Sequence, residues 1–249
     1  MAPPNSGKID LAGQSAIVTG SARGIGRGIA LALAREGADL CLSDLLETRE
    51  TANAARNLGR RVIENRCDIS RKDDVRSMVD QALGAFSKVD ILISCAAICH
   101  RTHIKDLTEE EWDNELAVNL KGTFLVVQAV LPHMKERNYG KIVCIGSLAG
   151  KVGGLISGPH YVASKGGVHA FIKWVAKDGA AHSVYVNGIA PGIVETEMTK
   201  GFPYSTGMVT LNRFGTPEDI AEAALFLSSQ ASNWITGMVL DVNGGMTMN

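Results

Sequence analysis

The chain has 249 residues, 45% of them hydrophobic and 20% charged, with 25 Lys and Arg set against 26 Asp and Glu. That length suits a single α/β unit whose core needs no staples, and the composition excludes long disorder. A formal charge of −1 leaves no cationic surplus for a phosphate backbone, so nucleic acid is not an expected partner.

Strand-like and helix-like segments alternate along the chain. Residues 15–19 (SAIVT) are a short β-branched run, and 24–37 reads as a helix with Ile25, Ile29 and Leu33 on one face. A strand at 39–43, a helix at 47–58, a strand at 61–67 and a helix at 72–86 follow, the last with Ser70 as its N-cap. The apolar run 89–94 predicts a strand buried on both faces. A long helix, open to interruption, covers about 108–137, and its Glu109–Glu111 run suits a first turn without needing a partner. The remainder reads as strand 141–145, helix 160–181, strand 184–189, helix 217–228 and strand 238–242. Repeated β-α-β units with short links predict a Rossmann-type doubly wound parallel sheet of about seven strands, with helices on both faces, as one domain over 1–249. In such sheets ligands sit beyond the carboxyl ends of the strands.

The loop after the first strand, TGSARGIG (19–26), holds Gly20, Ser21, Arg23, Gly24, Ile25 and Gly26. Gly20 permits a tight turn, Gly24 lets backbone approach a pyrophosphate, and Gly26 lets the helix pack on the sheet. The helix start offers free N–H groups to phosphates. Asp44 ends the second strand, 18 residues after Gly26. A carboxylate there accepts from ribose hydroxyls and repels a 2′-phosphate, which favours NAD. Arg23 points the other way and keeps NADP open. Asp68 and Ile69, after the third strand, are candidates for holding the adenine.

Tyr161 and Lys165 (YVASK) share one helical face by their i, i+4 spacing. A phenol titrates near 10 and is a poor base at neutrality. An ammonium at ~4 Å in an effective dielectric of ~20 is worth about 4 kcal/mol, or about 3 pKa units, which predicts a phenol drawn toward the working range. Ser147, at the carboxyl end of a strand, faces the same cleft and is placed to hold a substrate oxygen. Asn119 lies inside a largely apolar helix, either as a helix-kinking core amide or as a holder of water in a proton relay to Lys165.

The five cysteines, Cys41, Cys67, Cys95, Cys99 and Cys144, are odd in number and lie mostly in apolar runs, which reads as free thiols in a reducing compartment. The first residues, MAPPNSGKIDLAG, carry no signal pattern, and the clean apolar run around 91–99 is far short of the ~18 residues of a membrane span. A cytoplasmic chain with no membrane partner is expected. Cys95, Cys99, His100 and His103 lack a second ligand pair at zinc spacing, so no metal is assigned. His100, His103 and His160 are candidate pocket residues, and Trp112, Trp174 and Trp234 candidate core or subunit contacts.

TGSARGIG, Asp44, CDIS (67–70), VNLKG (118–122), IGS (145–147), YVASK, NGIAPGIVET (187–196) and ITGMVLDVNGG (235–245) together resemble the short-chain dehydrogenase/reductase family from about residue 11 to 246. The resemblance implies a catalytic tetrad of Asn119, Ser147, Tyr161 and Lys165, with Tyr161 as acid/base and Lys165 also on the nicotinamide ribose. It implies that Pro191, Gly192, Ile193 and Thr196 cradle the carboxamide. It further implies an oxidoreductase moving hydride between NAD, or NADP, and a small secondary alcohol or ketone. The chain is similar to secondary-alcohol dehydrogenases and 3-oxoacyl reductases, and a homotetramer is implied. Where the family has Asn-Asn-Ala-Gly, this chain has Ser94-Cys95-Ala96-Ala97, with Ala96 and Ala97 against the cofactor. A short apolar lid is expected at about 197–216, with the loop 151–160 beside it. Alternatives are an NADP-dependent carbonyl reductase of the 3-oxoacyl type, an epimerase or dehydratase on the same fold, and a non-catalytic dinucleotide sensor. The short stretch after Gly192 weighs against the epimerase, and the complete tetrad weighs against the sensor.

Overall fold

The computed structural model describes residues 9–154 and 156–248. The signal-pattern reading at residues 1–8, and Leu155 of the loop 151–160, lie outside the described residues. In chain order the elements of the first half are β1 (Ser15–Thr19), α1 (Gly24–Arg35), β2 (Asp39–Asp44), α2 (Arg49–Asn57), β3 (Val62–Arg66), α3 (Lys72–Phe86) and β4 (Ile91–Ser94). The second half has α4 (Glu109–Leu116), a π-helical turn (Ala117–Gly122), α5 (Thr123–Glu136), β5 (Gly140–Ile145), α6 (Ala149–Val152), α7 (Pro159–Gly179), β6 (Val184–Pro191), α8 (Pro217–Ser228) and β7 (Val239–Val242). The strands form one parallel sheet ordered β3-β2-β1-β4-β5-β6-β7, so the order reverses between β1 and β4.

Alternate side chains of each central strand enter different cores. Val18, Leu40, Leu42, Ile91, Ile93 and Val143 pack with α1 and α8, whereas Ile17, Cys41, Leu92, Ile142 and Cys144 pack with α3, α5 and α7. Both faces are covered, which is why these strands read as continuous apolar runs. Each fully buried Leu or Ile contributes roughly 1.5–3 kcal/mol.

Most elements begin or end within two residues of expectation, and a few of the differences are informative. β4 starts at Ile91 rather than at 89, and just before it the Asp90 carboxylate accepts from the Ser15 amide at 3.0 Å and from Arg137 at 2.9 Å. α3 is preceded by Arg71, which gives no side-chain cap, because the Ser70 hydroxyl donates instead to Asp68 at 2.7 Å. The long helix, expected as open to interruption, is interrupted by the π turn around Asn119. Together α4, this turn and α5 also contain an 18-residue window of mean hydropathy 1.2, a span-like composition that the run at 91–99 did not suggest. In the fold Leu125, Val126, Val127, Val130 and Met134 of that stretch are core. An isolated bridge between Val194 and Gly215 closes the base of the expected lid.

Candidate active site

A cavity of about 460 Å³ opens at the carboxyl edge of the sheet, over the β1/β4 switch point. Its nucleotide side is made of backbone. Gly20 has φ +70°, and a Cβ there would lie 2.8 Å from the backbone of Ala96. Gly26 closes on the turn itself rather than on the sheet, since its Cβ would fall 2.0 Å from the Gly20 carbonyl oxygen. The start of α1 has no side-chain cap and no acid in its first turn, so its N–H groups remain open to an anion. Asp44 lies on the wall, accepting from the Ala22 amide at 3.0 Å and the Leu46 amide at 3.0 Å. Arg23, Ile25, Asp68 and Ile69 line the same cavity, as do Ala96, Ala97, Pro191, Gly192, Ile193 and Thr196. Ser21 does not. It is fully buried, and its hydroxyl donates to the Ser43 carbonyl at 3.2 Å, tying the turn to β2.

The departure at residues 94–97 is braced from β1. The Thr19 hydroxyl oxygen accepts from the amides of Cys95 at 3.1 Å and Ala96 at 3.2 Å. Thr19 was not singled out in the sequence, because a threonine closing a β-branched strand carries no signal of its own.

On the substrate side, Ser147, Tyr161 and Lys165 all face the cavity. The Lys165 ammonium donates to the Ile145 carbonyl at 2.9 Å and lies 5.7 Å from the centroid of the Tyr161 ring. The expected fall in the Tyr161 pKa is not found. Burial pushes the phenol above its ordinary value, the adjacent Cys99 adds to this, and the Ser147 hydroxyl opposes it. The physical reason is that the ammonium is directed at a carbonyl, while loss of water penalises the phenolate. Burial likewise holds Lys165 below the ordinary lysine value.

His169, one turn beyond Lys165 on α7, positions Ser147: its Nε2 accepts from the Ser147 amide at 3.4 Å. Burial lowers His169 from 6.5 to about 4, so it is neutral at working pH and free to accept. The i, i+4 spacing from Lys165 was the available signal.

Asn119 sits off the cavity wall, fully buried. Its side chain accepts from the Ile98 amide at 2.9 Å, and donates to the Ile98 carbonyl at 2.9 Å and to the Ser164 hydroxyl at 3.1 Å. Both N–H donors are spent, so the side chain acts as a core brace and makes no relay contact with Lys165 here.

The candidate pocket histidines lie behind the wall or outside it. His160 is fully buried, His100 meets Glu115, and His103 is exposed with its Nδ1 accepting from the Lys105 amide at 3.4 Å. Cys95 and Cys99 line the cavity, and burial pushes their thiols up to about 12 and about 11. Arg101, which no motif flagged, stacks 3.2 Å over the Phe202 ring and donates to the Met198 carbonyl at 2.7 Å, fastening the lid. Trp174 and Trp234 are exposed rather than core.

The family model described as "Enoyl-(Acyl carrier protein) reductase" matches residues 20–247. The 3-oxoacyl-(acyl-carrier-protein) reductase FabG of Thermotoga maritima is 33% identical over 245 residues, covering 96% of this chain and 99% of its own. The (3R)-3-hydroxyacyl-CoA dehydrogenase of Mus musculus is 35% identical over 250 residues, covering 94% and 96%. A short-chain type dehydrogenase/reductase from Mycobacterium marinum superposes with a TM-score of 0.93 at 31% identity, over 96% of this chain and 98% of that one. With the parallel sheet, the glycine turn and the Tyr–Lys helix in place, the chain belongs to the short-chain dehydrogenase/reductase family.

Proposed function

We propose that the chain transfers hydride between NAD(H) and a small secondary alcohol or ketone, with Tyr161 as general acid and base. The observation that carries this reading is that the glycine turn, Asp44, Ser147, Tyr161 and Lys165, delivered by separate segments, line one cavity. Alcohol–ketone relatives such as the 3-oxoacyl reductase and the hydroxyacyl-CoA dehydrogenase fit it.

The residues present fit a dinucleotide. A Cβ at Gly24 would come within 3.2 Å of the Thr196 methyl, closing the gap between the glycine turn and the 191–196 loop. The uncapped start of α1 would hold the pyrophosphate, Asp44 the adenosine ribose, and Pro191, Gly192, Ile193 and Thr196 the carboxamide. When bound, the nicotinamide supplies or accepts the hydride. Ser147 fixes the substrate oxygen, and Tyr161 gives or takes the proton on it. Burial keeps the phenol protonated, so the chain by itself is set to donate a proton during carbonyl reduction. In the oxidation direction Tyr161 must release its proton, so that rate rises with pH. Lys165 holds the nicotinamide ribose and supplies positive charge near the phenol. Asn119 keeps the β4 loop and α7 in register.

Asp44 supports NAD over NADP. An NADP-dependent carbonyl reductase is the second reading, favoured by Arg23 on the same wall. The exposed Trp174 and Trp234, 66% and 100% accessible, fit a contact between copies, and the family resemblance makes a homotetramer the working state, checked by light scattering after gel filtration. A reducing cytoplasm suits the free cysteines. The function is tested by incubating the protein with NAD or NADP and a panel of secondary alcohols and ketones, following nicotinamide absorbance. Net NADH formation or consumption is expected. Product without net NADH would indicate an epimerase, and neither signal would indicate a sensor.

A further inference from the structure

Behind the cavity wall, the β4 loop, α4 and the start of α7 meet around four side chains that hydride transfer does not use. Glu111 and Glu115 stand one turn apart on α4 and share a face. His160 is the second residue of α7, and both it and Glu115 have fully buried side chains. His100 Nδ1 lies 2.7 Å from Glu115 Oε2. His160 Nε2 lies 3.0 Å from that same oxygen and 3.3 Å from Glu111 Oε1. The two imidazoles stack at 14°, with centroids 6.0 Å apart.

Hydrogen bonding accounts for only part of this cluster: Glu111 Oε1 accepts from the Thr102 hydroxyl, and Glu115 Oε2 accepts from the His100 amide at 3.0 Å. The His100–Glu115 contact satisfies one nitrogen. The Nδ1 of buried His160 has no hydrogen-bond partner, its Nε2 meets only the two carboxylates and without hydrogen-bond geometry, and Glu115 Oε1 has no partner. Among the described residues Glu115 pairs only with the two histidines, and no Lys or Arg reaches it. Unpartnered buried imidazole and carboxylate atoms are costly, and their retention asks for a partner.

We propose that His100, Glu111, Glu115 and His160 form a closed site for a divalent cation of the zinc class. Two imidazole nitrogens and two carboxylate oxygens are a first-row transition-metal donor set, whereas Mg²⁺ and Ca²⁺ prefer oxygen alone. Metal–ligand bonds of about 2.05 Å in a tetrahedron place the donors about 3.3 Å apart. The His160–Glu111 distance of 3.3 Å matches that edge and the His160–Glu115 distance of 3.0 Å is near it, whereas His100 and Glu115, at 2.7 Å, make a hydrogen-bond contact that opens to admit the ion. Donor atoms of His100, Glu111 and His160 all lie within 4.8 Å of one another. Two carboxylates, two neutral imidazoles and a dication sum to zero, which compensates the buried charge. Four protein donors leave no open position, so the ion is structural and takes no part in the reaction. Cys99 and Arg101 flank His100, and Tyr161 follows His160, all three on the cavity wall. The ion pins that wall to α4. The sequence hides the site because its ligands come from three segments, with Glu111 reading as a first-turn acid and His100 grouped with cysteines.

The test uses the full-length protein stripped with a chelator, dialysed and titrated with ZnCl₂ or CoCl₂. One Zn²⁺ per chain is expected by competition with a chromophoric chelator, together with visible tetrahedral absorption bands from Co²⁺ and a higher melting temperature on adding Zn²⁺. His100→Asn, at a half-exposed position that tolerates change, should weaken binding by about tenfold or more, and Glu111→Gln should act likewise. Cys99→Ser should leave binding intact. Absence of stoichiometric zinc binding in the unmutated protein would overturn the proposal. So would binding that His100→Asn and Glu111→Gln leave unchanged, or binding that Cys99→Ser removes.

Discussion

The nucleotide half and the substrate half of the cavity are built by different means. The nucleotide half is contiguous backbone: the glycine turn between β1 and α1, with one acid at the end of β2. The substrate half is assembled from side chains on β5, α7, the β4 loop and the lid, held by contacts such as Arg101 on Phe202 and Asn119 on Ile98. A backbone cradle is specified by where glycines fall, and so tolerates changes in side-chain chemistry elsewhere. A side-chain assembly depends on groups far apart in the chain and on how much water each loses.

The sharpest way to separate the halves is Tyr161→Phe. Turnover should fall by about 10²–10⁴, as expected for loss of an acid/base, while cofactor affinity measured by fluorescence titration stays within about twofold. Near-normal turnover would remove Tyr161 from that role. Gly26→Ala attacks the other half, since the new methyl must displace the Gly20 carbonyl. Strain of roughly 1–3 kcal/mol should weaken cofactor binding by about ten- to a hundredfold, read by calorimetry, with the fold retained by circular dichroism. Unchanged affinity would mean that the turn does not hold the dinucleotide. Asp44→Ala should lower the NAD:NADP ratio of kcat/KM by roughly tenfold, about 1.4 kcal/mol, and a constant ratio would assign selectivity to another group.

The smallest effect concerns stability. His169 titrates at about 4 in the fold against 6.5 as a free side chain. Between those values the unfolded chain takes up a proton that the folded chain refuses, so stability falls as pH drops from about 6.5 toward 4. Urea midpoints at pH 7 and pH 5 should differ less in His169→Gln than in the unmutated protein. Equal pH slopes would show that the histidine is not held neutral.

The glycine turn, Asp44 and the Tyr161–Lys165 pair were legible because each is a short pattern whose spacing states its geometry. The central strands were legible because burial on both faces leaves a largely unbroken apolar run, whereas the edge strand β3 (VIENR) is half-exposed. His169, Thr19 and Arg101 were not, since each gains meaning only from a partner in a distant segment. Asn119 was identified as a residue of interest, but its partners emerged only with the π turn that brings it to Ile98 and Ser164.

The sequence by itself determined the alternation of elements, the dinucleotide turn and the residue types at the site, because these follow from local periodicity and backbone conformational limits. The tertiary structure alone decided the protonation balance of Tyr161, the direction of the Lys165 ammonium and the meeting of His100, His160, Glu111 and Glu115. Those depend on solvent exclusion and through-space distance, and neither quantity is a function of spacing along the chain.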